Sequence, residues 1–111
     1  MVWNINLFES SRKEKPVAVF IKSLEKNMRA KVAYSINLLS EYGPNLAMPY
    51  SKFIGSKVYE LRIRGREEIR IFYSFLYNKI YLLHGFKKKT QKTPQKEIRL
   101  TLERLKVLTK L

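Results

Sequence analysis

Three arginines, Arg62, Arg64 and Arg70, sit in a stretch where apolar and polar residues alternate. Three consecutive lysines, Lys87, Lys88 and Lys89, closely follow the single histidine, His84. Arginine presents a planar fork that matches two phosphate oxygens, and lysine adds a mobile point charge. Histidine is the side chain whose ordinary pKa suits proton transfer near neutrality. A set of this kind can hold a phosphodiester and move a proton. The chain has no cysteine, which excludes disulfides, zinc–thiolate sites and cysteine nucleophiles. One histidine excludes a two-histidine metal site or acid–base pair, so neither metal nor cofactor is expected.

The overall charge points the same way. Lys and Arg number 23 against 9 Asp and Glu, a net charge of +14 on 111 residues. Such an excess repels itself and calls for an anionic partner. Nucleic acid is the first candidate and an acidic protein the second. An anionic membrane comes third, because no basic amphipathic segment stands apart from the fold. The N-terminus lacks the apolar core of a signal peptide, and no run approaches a membrane span, so a cytoplasmic protein is expected. The length suits a single domain over residues 1–111, and a hydrophobic content of 45% suits a packed core.

The elements that must position these residues can be read from periodicity. Trp3, Ile5 and Leu7 alternate within Val2 to Phe8 and predict an edge strand. Pro16 suits a first helical position, and Val17, Phe20, Ile21 and Leu24 form the stripe of a short helix. Met28, Val32, Ile36 and Leu39 continue as a second helix to about Tyr42, with a kink near Lys26-Asn27 and a stop at Gly43-Pro44. Asn45 to Ser56 reads as a connector. From Lys57 the period changes to two, and three strands follow. The first carries Tyr59, Leu61 and Ile63, the second Ile69, Ile71, Tyr73 and Phe75. The third is Ile80 to Phe86, after a turn at Asn78-Lys79. Thr93-Pro94 reads as the cap and first residue of a last helix striped by Ile98, Leu102, Leu105 and Leu108. The order β-α-α-β-β-β-α predicts an α+β domain with its helices on one sheet face.

Alternation assigns faces. Tyr59, Leu61, Ile63, Ile69, Ile71 and Tyr73 belong to the core side. Glu60, Arg62, Arg64, Arg70 and Phe72 belong to the other. With Gly65 to Glu67 as the connecting loop, Arg62 lies opposite Arg70. Like charges directly opposed across a sheet are destabilising, and a bound phosphate would supply the missing negative charge, with Tyr59 or Phe72 near enough to stack on a base. Glu60 could neutralise one of the arginines. His84 goes to the core side after a two-residue turn and to the arginine side after a three-residue turn. A lone histidine is more often structural than catalytic.

Tyr59-Glu60-Leu61-Arg62, Ile69-Arg70-Ile71-Phe72-Tyr73 and Leu83-His84-Gly85-Phe86-Lys87-Lys88-Lys89-Thr90, with Thr93-Pro94, come in this order and spacing. Together they resemble the phage-derived Gp49-like or HigB-like toxins of the RelE superfamily, over at least Gly43 to Glu97. The resemblance implies a RelE-like fold, a twisted antiparallel sheet with two N-terminal helices and a C-terminal helix. It also implies the toxin of a type II toxin–antitoxin pair, cutting mRNA in the ribosomal A site. The partner would be a separate antitoxin, often a helix-turn-helix protein. Carried over position by position, Arg62 and Arg70 match basic positions of the family, and Lys88 falls near the basic residue after the last strand. Relatives often end in an acid–base tyrosine or histidine, and the last helix here has neither.

Cleavage without metal requires deprotonation of the 2′-OH, stabilisation of the crowded phosphate and protonation of the leaving 5′-oxygen. Arg62 and Arg70 are expected to clamp the scissile phosphate, with His84 and Lys88 as proton-transfer candidates. Lys52, Tyr59, Arg64, Phe72, Phe86, Lys87, Lys89 and Lys92 are expected to contact RNA. Tyr73 ranks below His84 because its parity puts it in the core, and no residue stands out as the general base. The main competitor is a basic RNA- or ribosome-binding protein that blocks translation without cutting. A DNA-binding repressor ranks lower, because the arginines lie on strands.

Overall fold

The computed structural model describes residues 2–110. The strands are β1 (Ile5–Leu7), β2 (Ser51–Gly55), β3 (Val58–Ile63), β4 (Ile69–Leu76) and β5 (Lys79–Lys87). The helices are α1 (Pro16–Lys22), α2 (Lys26–Tyr42) and α3 (Gln95–Thr109), with a 3-10 turn at Gly43–Asn45. The expected α+β class holds. No helix among the described residues is long and apolar enough to cross a membrane.

The helical punctuation follows the sequence closely. Pro16 opens α1, where its missing N–H costs no helical hydrogen bond. The break between the two helices falls at Ser23–Glu25, just before the expected kink. α2 ends at Gly43, whose φ of 51° and ψ of −128° disfavour any side chain. A Cβ there would also lie 2.3 Å from the indole nitrogen of Trp3, so glycine lets the first strand close over the end of α2. Trp3 then receives two bonds from Ser40: its N–H donates to the Ser40 carbonyl at 2.7 Å, and its carbonyl accepts from the Ser40 hydroxyl at 2.8 Å.

The sheet has the order β1-β5-β4-β3-β2. β1 runs parallel to β5, and the other neighbours are antiparallel. The expectation of a wholly antiparallel sheet therefore fails at one edge. A long excursion through both helices and three strands separates β1 from β5, so no tight turn dictates their direction. β2 lies inside the stretch read as a connector. It is only five residues long and ends at Gly55, too short for a periodic signal. It joins β3 through Ser56-Lys57, both at positive φ, and β4 joins β5 through Tyr77-Asn78, also both positive. That is the geometry of two-residue hairpin turns, and it moves the second turn one residue upstream of Asn78-Lys79.

The largest correction concerns layers. α1 and α2 cover one face, where Val17, Met28, Val32 and Leu39 pack on Leu61, Ile71, Tyr73 and Leu82. α3 lies on the opposite face, where Leu105 packs with Val58, Phe72, Leu83 and Phe86. The helices thus sandwich the sheet instead of sharing one side. The face expected to be charged also carries rings too large to leave in water, and α3 is what buries them.

A bulge on β5 decides the place of His84. Tyr73 pairs with Leu82, but Phe72 pairs with His84, leaving Leu83 as the extra residue. The turn at Tyr77-Asn78 has two residues, which by simple alternation would send His84 to the α1–α2 core. The bulge reverses that parity and puts Leu83 and His84 both on the α3 side.

Candidate functional site

Arg62 and Arg70 are directly opposed across β3 and β4, as the alternation predicts. Glu60, one pleat from Arg62 on the same face, lies between them and is almost fully buried. Its Oε1 is 3.4 Å from Arg62 Nε and 3.7 Å from Arg70 Nε. Arg70 Nη2 also donates to Glu68 Oε1 at 3.1 Å, and Arg70 Nη1 to its neighbour's carbonyl, Ile69 O, at 3.1 Å. The fold therefore has its own reason to pair these arginines: Glu60 lies against both and, with Glu68 at Arg70, neutralises the pair.

That neutralisation is incomplete in geometry. The Nε–H groups of Arg62 and Arg70 are buried and have no hydrogen-bond partner. Both face Glu60 at distances beyond the 2.7–3.2 Å of a good N–H···O bond. A buried donor left unpaired costs on the order of 1–3 kcal/mol, so this cluster would gain from a better-placed anion. The two arginines are not equivalent. Arg62 keeps 16% of its side chain exposed and Arg70 only 3%. Arg62 reaches the surface beside Met48, with Nη1 3.4 Å from the thioether sulfur. Arg70 sits behind it, so the clamp is asymmetric.

The basic stretch after β5 folds back toward this cluster. The Lys88 N–H donates to Glu68 O at 2.8 Å, and the Lys88 ammonium donates to Gln91 O at 2.6 Å. Thr93 Oγ1 donates to Glu60 Oε2 at 3.4 Å, bringing the end of the loop onto the buried carboxylate. Lys87 is held by Glu67 at 3.0 Å. Lys89 and Lys92 are exposed and make no ion pair among the described residues. Lys52 is exposed on β2 directly across from Glu60, on the same face as Arg62. Arg64 is exposed at the mouth of the β3–β4 loop.

The aromatic expectations fare differently. Phe72 is fully buried and Phe86 nearly so, their rings 5.4 Å apart in the α3-side core. Neither presents a free face for a base. Tyr59 lies on the other side of the sheet from Arg62, against Tyr73 and Phe75. Tyr73 is buried, shares a 2.5 Å hydrogen bond with Ser51, and burial pushes its pKa up to about 12. Its core placement agrees with its parity.

His84 is engaged at both ring nitrogens. Glu97 Oε1 lies 2.7 Å from Nε2, and Arg104 Nη1 lies 3.3 Å from Nδ1. A carboxylate only accepts and a guanidinium only donates, which assigns the neutral tautomer with its proton on Nε2. Arg104 also donates to Leu83 O at 2.8 Å. Together these bonds pin α3 to the bulge. Burial pulls the His84 pKa below its ordinary 6.5 and Arg104 pulls the same way, both outweighing the opposite pull of Glu97. The unfolded chain therefore takes up this proton at higher pH than the folded chain does. The stabilising contribution of neutral His84 is whole above about pH 6.5 and is lost as pH falls from there toward the depressed folded value. His84→Gln is expected to lower the Tm at pH 7.5. The gap from the parent should shrink toward pH 5, as read by parallel thermal melts; a gap that widens on acidification would contradict this assignment.

Glu60, Thr93, Glu97 and Arg104 were not singled out as site residues from sequence. Glu60 shares the parity of Arg62, which is a usable signal. Glu97 and Arg104 are two turns apart on one helix face, but nothing local says that His84 meets them.

No curated protein matches the chain. The family model described as phage-derived protein Gp49-like (DUF891) matches residues 19–106, which span α1 through most of α3 and include every site residue described above. The chain therefore belongs to the phage-derived Gp49-like family, a member of the RelE toxin-like group.

Proposed function

We propose that this protein is the toxin of a toxin–antitoxin pair and acts as a metal-independent endoribonuclease on ribosome-bound mRNA. The opposed arginines carry this reading. Arg62 and Arg70 converge on one buried carboxylate with both Nε–H groups left unbonded, and membership of a toxin-like family is in keeping with this reaction class. In the proposed reaction the 2′-hydroxyl gives its proton to solvent water, its oxygen attacks the adjacent phosphorus, and the bond to the 5′-oxygen breaks, leaving a 2′,3′-cyclic phosphate and a 5′-hydroxyl. Arg62, the accessible member, takes a non-bridging oxygen of the scissile phosphate. Arg70 sets the positive field behind it and holds Glu60 in place. Charge builds on the phosphoryl oxygens in the transition state, so preorganised donors act there most strongly. Lys88 is the proposed proton donor to the leaving 5′-oxygen, and Lys52, Lys89 and Lys92 hold flanking phosphates. His84, engaged at both nitrogens, positions α3 and the loop before it. The proposed partner is a separate antitoxin.

One observation favours a second reading, a binder that blocks translation without cutting. The sole histidine is tied into a structural contact, which leaves no imidazole free for proton transfer. Primer extension on mRNA after induction separates the two. Discrete new 5′ ends that disappear in Arg62→Ala support the nuclease. Intact message on stalled ribosomes supports the binder.

A further inference from the structure

The sequence reading placed its nucleic-acid contacts on the strands, the loop after them and the connector before them, and none on α2. α2 presents another surface. Between it and the end of β3 lies a groove of about 410 Å3, where Tyr34, Tyr50, Lys31, Arg62 and Arg64 are the polar and aromatic lining groups. A second depression of about 420 Å3 adjoins it, sharing Tyr34 and Tyr50 and adding Tyr42 and Met48. Neither lining contains a carboxylate. Tyr34, Tyr42 and Tyr50 are 64%, 52% and 47% exposed. Such exposure is unusual for rings that could have been packed, and here it falls on one continuous track.

We infer that this track is a base-stacking subsite for single-stranded RNA, continuous with the phosphate site through Arg62. Three observations select the occupant. Lys31 and Arg64 make no ion pair among the described residues, and Arg62 shares its one carboxylate with Arg70, so the track favours a polyanion. Exposed tyrosine faces accept any base, which gives affinity without sequence readout. Arg62 belongs to both places at once: its Nε faces Glu60, and its Nη1 rests on Met48 in the second depression. A strand whose scissile phosphate sits at Arg62 would lay its neighbouring nucleotides along α2. Lys31 and Arg64 would then take phosphates, and Tyr34 and Tyr50 would take bases. The inference rests on the proposed nuclease reading for the direction of the strand, but not for the existence of the site.

Its test needs neither ribosome nor cleavage. The purified chain is titrated with a short single-stranded RNA carrying 2-aminopurine and 2′-O-methyl groups, which cannot be cut by 2′-OH attack. Quenching of the 2-aminopurine on binding is expected, because the fluorophore stacks on tyrosine. Tyr34→Ser with Tyr50→Ser should weaken binding by about tenfold or more and abolish quenching, whereas Tyr34→Phe with Tyr50→Phe should keep both. Lys31→Ala and Arg64→Ala should each lower the salt slope of binding by about one. All four side chains are exposed, so these variants are expected to fold, and circular dichroism checks that they do. Binding and quenching unchanged in the double serine variant would overturn the subsite while leaving the nuclease reading intact. Tyrosine-dependent quenching without new 5′ ends in cells would uphold the subsite and sink the nuclease. No RNA binding, with protection of the tyrosines only by an acidic protein, would overturn the subsite in favour of a protein interface.

Discussion

Glu60→Ala is expected to destabilise the protein by about 3–5 kcal/mol, the usual cost of removing one member of a buried ion cluster. The substitution leaves two guanidiniums opposed across β3 and β4 with only Glu68 near, and Glu68 reaches Arg70 alone. For a domain of this size the loss corresponds to a fall in Tm of roughly 10 °C or more. Glu60→Gln keeps the volume and a hydrogen-bond acceptor, so it isolates the charge and should lose less. The second half of this expectation concerns function. If the arginine pair is a phosphate site, inorganic phosphate at tens of millimolar should restore Tm in Glu60→Gln more than in the parent. Chloride at equal ionic strength should not, because screening acts on both variants alike. Differential scanning fluorimetry in matched phosphate and chloride series reads the effect. Equal shifts of parent and variant in phosphate would sink the anion-site assignment, and a Tm unchanged by Glu60→Ala would sink the structural role of the carboxylate.

The second large effect is expected at Arg70. It donates to Glu68 and Ile69 and faces Glu60, all while nearly fully buried. Arg70→Ala would leave Glu68 without its partner and Glu60 with Arg62 alone, and would open a cavity at a buried position, so a loss of toxicity in that variant is confounded by a loss of fold. Burial of the side chain makes alanine at this position a change to the fold as well as to the site. Arg70→Lys is the sharper variant. It keeps the positive charge opposite Glu60 but not the planar fork that serves three partners. Cleavage per folded molecule is expected to fall about 100-fold, the scale of a misplacement of about 1 Å, because Glu60 and with it Arg62 lose their fixed positions. Mapping of 5′ ends, normalised to soluble folded protein, measures this. Full cleavage by Arg70→Lys would show that Arg70 has only a structural task, with the chemistry at Arg62 and the lysines.

Both experiments follow from a feature that was half legible. Alternation from Tyr59 to Ile63 and from Ile69 to Tyr73, with a short loop between, was enough to set Arg62 against Arg70, and the structure has that register. The same alternation put Glu60 on the arginine face. It could not say that Glu60 is buried, because burial required α3 to cover a face read as charged and open. The aromatic assignments fail for the same reason. Phe72 has the parity expected of a stacking ring, yet it is packed with Phe86, Leu83 and Leu105. The tyrosines of α2 went unnoticed because a helix stripe marks only the residues that face inward. Tyr34 stands outside that stripe and meets Tyr50 only through the tertiary fold.

The sequence by itself determined the charge, the helix punctuation at Pro16 and Gly43, the strand alternation, the opposed arginines and the family resemblance. All of these are set by neighbours a few residues apart or by composition. Tertiary structure decided the rest. The bulge at Leu83 moved His84 to the side of α3, where Glu97 and Arg104 occupy it. The crossing of α3 to the second face drew the loop before it onto Glu60, through Thr93, at the carboxylate that faces both arginines. One extra residue in a strand, or the choice of which face a closing helix covers, changes no local period, so neither is written in any short stretch of the chain.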